Sequence, residues 1–113
     1  MSKFIGEKVL MRIFIGEAKR HGHRPLYEAL TELFLQEGFA GATVLRGLCG
    51  FGAHRVFHTQ KFLDLSADLP LVVEVVDSQE KIDTVMPKID EMVGSGMITL
   101  EKVQVIRYTH KHG

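Results

Sequence analysis

The apolar positions of this chain fall into six blocks whose spacing alternates between the periods of strands and helices. Residues 9–15, Val-Leu-Met-Arg-Ile-Phe-Ile, are β-branched and aromatic-rich, which predicts a first strand, β1. Pro25 suits a first helical position, and Leu26, Ala29, Leu30, Leu33 and Phe34 follow at i, i+3, i+4, i+7 and i+8, the signature of an amphipathic helix, α1. Gly38 ends that helix as a left-handed cap. Residues 42–46 make a short strand, β2, and a long Gly-rich loop follows. After Pro70 the run Leu71-Val-Val-Glu-Val-Val76 predicts β3. Ser78 caps a second helix, α2, with Ile82, Val85, Met86, Ile89 and Val93 on one face. Pro87 lies inside it; the helix is kept because its apolar stripe continues on both sides, while the missing N–H and crowded preceding turn predict a kink there, or a break into two short helices. Gly94, Ser95 and Gly96 turn the chain into β4, within residues 98–108.

The order β-α-β-β-α-β predicts an α+β, ferredoxin-like, two-layer sandwich: a four-stranded antiparallel sheet with both helices on one face. Residues 1–113 read as a single domain with its core at about 9–108. Right-handed crossovers then send the β1–α1 loop, the β2–β3 loop and the α2–β4 turn to one edge. Strand β1 is apolar in both registers, with Val9, Met11, Ile13 and Ile15 opposed to Leu10 and Phe14. Strand β3 repeats this, with Leu71, Val73 and Val75 opposed to Val72 and Val76. Whichever set meets the helices, the other forms an apolar face, so a homo-oligomer with sheets facing inward is expected.

Composition narrows the partners. The 113 residues carry 14 basic and 14 acidic side chains, a formal net charge of zero with histidine neutral. Such a balance argues against bulk electrostatic attraction to nucleic acid or an anionic membrane. Base stacking of the RNA-recognition type needs aromatic side chains on the central strands, and β3 has none while β1 offers only Phe14. One cysteine, Cys49, allows neither an intrachain disulfide nor a site of several thiolates. The first apolar stretch is broken by Arg12 and preceded by Lys3, Glu7 and Lys8, too short and too charged for a leader or a spanning helix. A cytoplasmic protein without membrane insertion is the expectation.

The loop edge carries the candidate chemistry. From Arg46 to Lys61 there are three basic residues and no acidic one. Gly47, Gly50 and Gly52 there let backbone amides turn toward an anion, with Arg46 and Arg55 supplying charge. The β1–α1 loop adds Lys19, Arg20 and Arg24 against Glu17 and leads to a helix N-terminus, which favours anions. A small anionic ligand held by Lys19, Arg20, Arg46, Gly47, Gly50, Gly52 and Arg55 is therefore expected; solvated loops with turn glycines are the ordinary alternative. The spacing is not that of a phosphate-binding loop ending in Gly-Lys-Ser/Thr, nor of the dinucleotide fingerprint, since a strand follows rather than a helix. The histidines fall in pairs at 21/23, 54/58 and 110/112. His21, His23, His54 and His58 define a rival reading, a divalent-metal-binding trimer of the copper-tolerance type. Cys49 reads as a small apolar residue packed in a turn or at a subunit contact, with a reactive thiol as the alternative. No Ser/His/Asp or carboxylate-pair arrangement stands out, and the absence of Asn removes half of the Arg–Asn pair of small acylphosphatases, so no enzymatic activity is expected and no cofactor is assigned.

Three stretches resemble a known family: Arg24-Pro-Leu-Tyr27, Gly41-Ala-Thr-Val-Leu-Arg-Gly-Leu-Cys-Gly-Phe-Gly52, and Leu65-Ser-Ala-Asp-Leu-Pro-Leu-Val-Val-Glu-Val-Val-Asp77. The chain is similar over most of residues 9–108 to the PII-like proteins called "domain of unknown function 190". The resemblance implies a ferredoxin-like trimer related to nitrogen regulatory PII signal-transduction proteins. In those, nucleotides or other small effectors bind in clefts between subunits, and the β2–β3 loop contacts a partner protein. Two features depart from classical PII proteins: residues 47–61 contain no Tyr, and the α2–β4 turn shrinks to Gly94, Ser95 and Gly96. The identity of the effector stays open.

Overall fold

The computed structural model describes residues 2–52, 58–59 (backbone) and 68–110. Its main sheet has strands β1 (Ser2–Gly16), β2 (Thr43–Arg46), β3 (Pro70–Asp77) and β4 (Met97–Thr109) in the order β2-β3-β1-β4, every pairing antiparallel. Helices α1 (Leu26–Gln36) and α2 (Gln79–Met92) cover one face. The expected ferredoxin-like α+β sandwich is thus the observed one.

Period-2 alternation decides which side of β1 and β3 goes inside. Val9, Met11, Ile13 and Ile15 of β1 and Leu71, Val73 and Val75 of β3 are buried against Leu26, Leu30 and Phe34 of α1 and Ile82, Val85 and Ile89 of α2. Removing such side chains from water is the main favourable term, about 1.5–3 kcal/mol for each large one. The opposite face is less uniformly apolar than the strand sequences suggest. Arg12, at its middle, pairs with Glu74 of β3 at 3.0 Å and reaches Glu101 of β4 at 3.4 Å. Leu10, Phe14, Val72 and Val76 lie half-buried around this bridge.

Helix α1 ends as its sequence predicts. Gly38 has φ of +76°, the Gly38 amide donates to Leu35 O at 3.2 Å, and the Phe39 amide donates to Phe34 O at 3.0 Å. This is the Schellman arrangement, in which a left-handed residue lets two amides satisfy the last carbonyls. Its usual apolar contact is the edge-to-face packing of Phe39 on Phe34, with ring centroids 4.9 Å apart. Helix α2 opens on Ser78, whose Oγ accepts from the Lys81 amide at 3.2 Å.

Helix α2 holds together as one element, while two other expectations need correction. Helix α2 continues from Gln79 to Met92 with Pro87 inside it, not as two short helices. Pro87 is exposed while Val85 and Ile89 on either side are buried, so packing of the apolar stripe carries the helix past the lost bond. Pro25 is the N-cap rather than the first helical residue, because it pairs with Arg20 in a small hairpin, Arg20–His21 against Arg24–Pro25. Strand β1 starts at Ser2 rather than at the expected Val9. Its first half pairs with the end of β4 alone, from Ser2 opposite Thr109 to Lys8 opposite Val103. A two-stranded ribbon therefore extends beyond the four-stranded sheet.

Candidate functional site

The β1–α1 loop, the β2–β3 loop and the α2–β4 turn meet at one edge around a cleft of about 420 Å³, within the size range of small-molecule sites. Gly16 closes β1 and Lys19 comes from the first loop, Gly50, Phe51, Gly52 and Asp68 from the two ends of the second, and Ser95 and Gly96 from the turn. Phe14, Pro70 and Met97 supply apolar walls. A second concavity of about 560 Å³ lies at the other end, between Phe4 and Lys8 of the ribbon and residues 40–43. Only the first gathers the loops whose sequences suggest anion binding.

Each loop is held by named contacts. The Lys19 carbonyl accepts from the Leu26 amide at 2.8 Å, so the first amide of α1 is already satisfied at the helix N-terminus. The Arg20 guanidinium donates to His23 O, which ties Arg20 into its own hairpin. The base of the β2–β3 loop is fixed by Glu17 N to Leu69 O at 2.8 Å and by Gly47 N to Pro70 O at 2.7 Å. Beyond it Cys49–Gly50 pairs with His58–Thr59 as a short ladder. The Asp68 carboxylate accepts from the Ala18 amide at 2.7 Å.

Of the seven residues expected to hold an anion, the structure brings Lys19, Gly50 and Gly52 to the cleft. Lys19 has no ion pair among the described residues, so its amine is available to an anion. Arg46 lies at the end of β2 and pairs with Glu17, Nε and one terminal nitrogen lying 3.1 and 3.0 Å from the same carboxylate oxygen. Gly47 packs on Pro70, where an added Cβ would lie 2.8 Å from the ring Cγ; at Gly50 the same distance is 3.1 Å. Both glycines thus serve the close approach of the loop to β3. Gly52 faces open space. Arg20 belongs to the hairpin, and Arg55 lies outside the described residues.

Sequence reasoning missed Phe51, Asp68 and Met97. Phe51 is 60% exposed beside the cleft, and Leu48 and Leu45 in the same stretch are 78% and 49% exposed. Large apolar side chains clustered along this Gly-rich stretch are the signal that could have marked the segment for contact. Asp68 reads as a turn residue before Pro70, and its partner lies fifty positions earlier. His21 and His23 are exposed in the hairpin. His58 is described for its backbone alone and His54 lies outside the described residues. Among the described residues no three His, Cys, Asp or Glu side chains gather as a metal site. None of the described helices is long and apolar enough to cross a membrane.

Known proteins share both the sequence and the architecture. The DUF190 family model, described as "Uncharacterized ACR, COG1993", matches residues 8–105, and the chain belongs to that family. A UPF0166 protein of Aquifex aeolicus (strain VF5) is 38% identical over 102 residues, covering 88% of this chain and 94% of the relative. Another, from Methanocaldococcus jannaschii, is 31% identical over 99 residues, covering 87% and 91%. Among solved structures, the fold is similar to CPII of Thiomonas intermedia K12, a nitrogen regulatory PII-like protein bound to ADP, AMP and bicarbonate. The TM-score is 0.61 and the identity 18%, over 90% of this chain and 91% of that one. A candidate PII-like signalling protein of Thermus thermophilus gives a TM-score of 0.65 at 16% identity, over 89% and 91%. The fold is therefore PII-like.

Proposed function

We propose that this chain is a cytoplasmic, trimeric PII-like regulatory protein that binds a small anionic effector, an adenine nucleotide or a similar phosphate compound, in the loop-edge cleft. The observation that carries the reading is the convergence of three loops on a 420 Å³ cleft in which Lys19 is the cation among the described lining residues, with the Asp68 carboxylate beside it. Lys19 would meet the anion, Gly50 and Gly52 would let the ligand approach the backbone, and the apolar walls of Phe14 and Met97 would receive its uncharged part. Arg46 would join by exchanging Glu17 for the anion, a swap between two charge-assisted contacts. Arg20, Gly47 and Arg55 complete the proposed set, Gly47 by shaping the loop base.

Nucleotides bound to CPII, a protein of the same fold, support the choice of ligand class. The half-buried apolar residues around Arg12 support a sheet face covered by other subunits, which would place the cleft near a subunit boundary. Leu48 and Phe51, with Leu45 just before them on β2, support a β2–β3 loop that presents apolar surface to a partner protein, and such loops commonly order on ligand binding. The polar groups support binding rather than turnover: among the described lining residues the carboxylate is Asp68, and it is engaged by a backbone amide.

Calorimetric titration of ADP into the untagged chain tests this, with Lys19→Ala beside Lys88→Ala. Lys88 pairs with Glu37 between the helices at 2.9 Å, away from the cleft. The parent and Lys88→Ala should bind equally, and Lys19→Ala about tenfold more weakly, the loss of a charge-assisted contact. Equal binding by Lys19→Ala would remove the site. No binding by the parent of any adenine or guanine nucleotide would remove the nucleotide reading.

A further inference from the structure

The ribbon formed by residues 2–8 and 103–109 has two faces with different character. One face, bearing Phe4 and Lys8, lines the second concavity. The other carries Lys3, Ile5 and Glu7 directly opposite Tyr108, Ile106 and Gln104. Directly paired residues of an antiparallel ladder project to the same side. This face continues the buried side of β1 past the helices, so its apolar residues reach water. Ile5 is 64% exposed, Ile106 57% and Tyr108 60%. The Lys3 amine lies over the Tyr108 ring, 5.6 Å from its centroid. Neither Lys3 nor Glu7 has an ion pair among the described residues.

The pattern is self-complementary. Ile5 and Ile106 form an apolar centre, with a cation two residues to one side on β1 and an anion two residues to the other. Lys3 and Glu7 are about 13 Å apart along the strand at the usual rise. A second copy turned about a two-fold axis at the level of Ile5 lays isoleucine on isoleucine. The same rotation brings each Lys3 onto the other copy's Glu7 and each Tyr108 hydroxyl onto the other copy's Gln104. An isologous contact requires this reversal of unlike groups about a common centre.

We infer that this face of the ribbon is a two-fold contact between copies of the chain, sealed by Ile5 and Ile106 and set in register by Lys3 and Glu7. It uses the ribbon face opposite to the one continuous with the open sheet, so it is independent of the sheet-face oligomer proposed above. Six side chains per copy fall short of the roughly 800 Å² that each partner of a stable complex buries. Association through one contact is therefore concentration-dependent. Several contacts joined through a sheet-face trimer reinforce one another by effective concentration.

Sedimentation velocity of the untagged full chain from about 1 to 500 µM reads the contact directly, on the concentration scale expected of so small an interface. The parent should show a concentration-dependent doubling of mass, and Ile5→Asp should hold the smaller species throughout. Lys3→Glu and Glu7→Lys should each weaken the doubling about tenfold or more, while the double variant restores it to within about threefold, because the swap rebuilds both pairs. Circular dichroism checks that these exposed substitutions leave the fold intact. A parent that never doubles overturns the inference, and so does a double variant as weak as either single one. A trimer that persists in Ile5→Asp shows that the sheet-face contact stands without the ribbon contact. A species no larger than a monomer in the parent removes both.

Discussion

The Asp68 carboxylate and the Ala18 amide, fifty residues apart, share a hydrogen bond of 2.7 Å that joins the base of the β2–β3 loop to the β1–α1 loop. Asp77 does the same at the opposite edge, where it accepts from the Ala40 amide at 3.1 Å. Each end of the sheet thus has one aspartate that satisfies an amide of a neighbouring loop, and the first of them stands beside the cleft. Asp68→Ala should lower stability by about 1 kcal/mol, since the bond is exposed and water replaces part of it. Asp68→Asn keeps an acceptor and should recover most of the loss. Urea denaturation of both variants checks this; equal midpoints for Asp68→Ala and the parent would contradict it.

Gly38 makes a cleaner test of the backbone. Its φ of +76° is a conformation in which a Cβ costs about 1–2 kcal/mol. Gly41, nearby and with open space around it, is the control. Gly38→Ala should lower the urea midpoint clearly and Gly41→Ala only slightly. Equal effects would mean that the Schellman turn contributes nothing of its own.

Pro87 predicts the reverse sign. Replacing it with alanine restores the N–H of a helix interior and relieves the clash with the preceding turn, a gain of up to about 3 kcal/mol. Pro87 is exposed, so no packing is lost. Pro87→Ala should raise the thermal midpoint, and a lower midpoint would show that the proline is positioned for a reason not visible in the subunit.

Glu17 competes with the proposed ligand for Arg46. Glu17→Gln should therefore tighten ADP binding, by up to roughly fivefold for an exposed pair of about 1 kcal/mol. Titration calorimetry of that variant reads the effect. Unchanged or weaker binding would place Arg46 outside the site.

The apolar periodicities of α1, α2, β1 and β3 were enough to read the architecture, because Leu26, Leu30 and Phe34, or Val73 and Val75, mark a buried face by spacing alone. The ribbon was not legible. Lys3, Glu7 and Lys8 and the bare Gly6 disguise a strand whose support comes from β4, about a hundred residues later, and from cations lying over Phe4 and Tyr108. Loop glycines and basic residues pointed to the loop edge, and Lys19, Gly50 and Gly52 line the cleft found there. The count of charges could not show that Arg46 is taken by Glu17, twenty-nine residues away. Nor could it show that Gly47 and Gly50 accommodate Pro70. Such pairings are decided by which loops the topology brings together.

The loop-edge cleft of this PII-like protein is proposed to take up a small anion. Native mass spectra of the untagged chain, alone and with ADP, AMP, ATP and the guanine nucleotides, test it most directly. The expected result is a trimer or a doubled trimer that gains one nucleotide per subunit, with the gain sharply reduced in Lys19→Ala. An oligomer that takes up no nucleotide, or a nucleotide retained in full by Lys19→Ala, would contradict it.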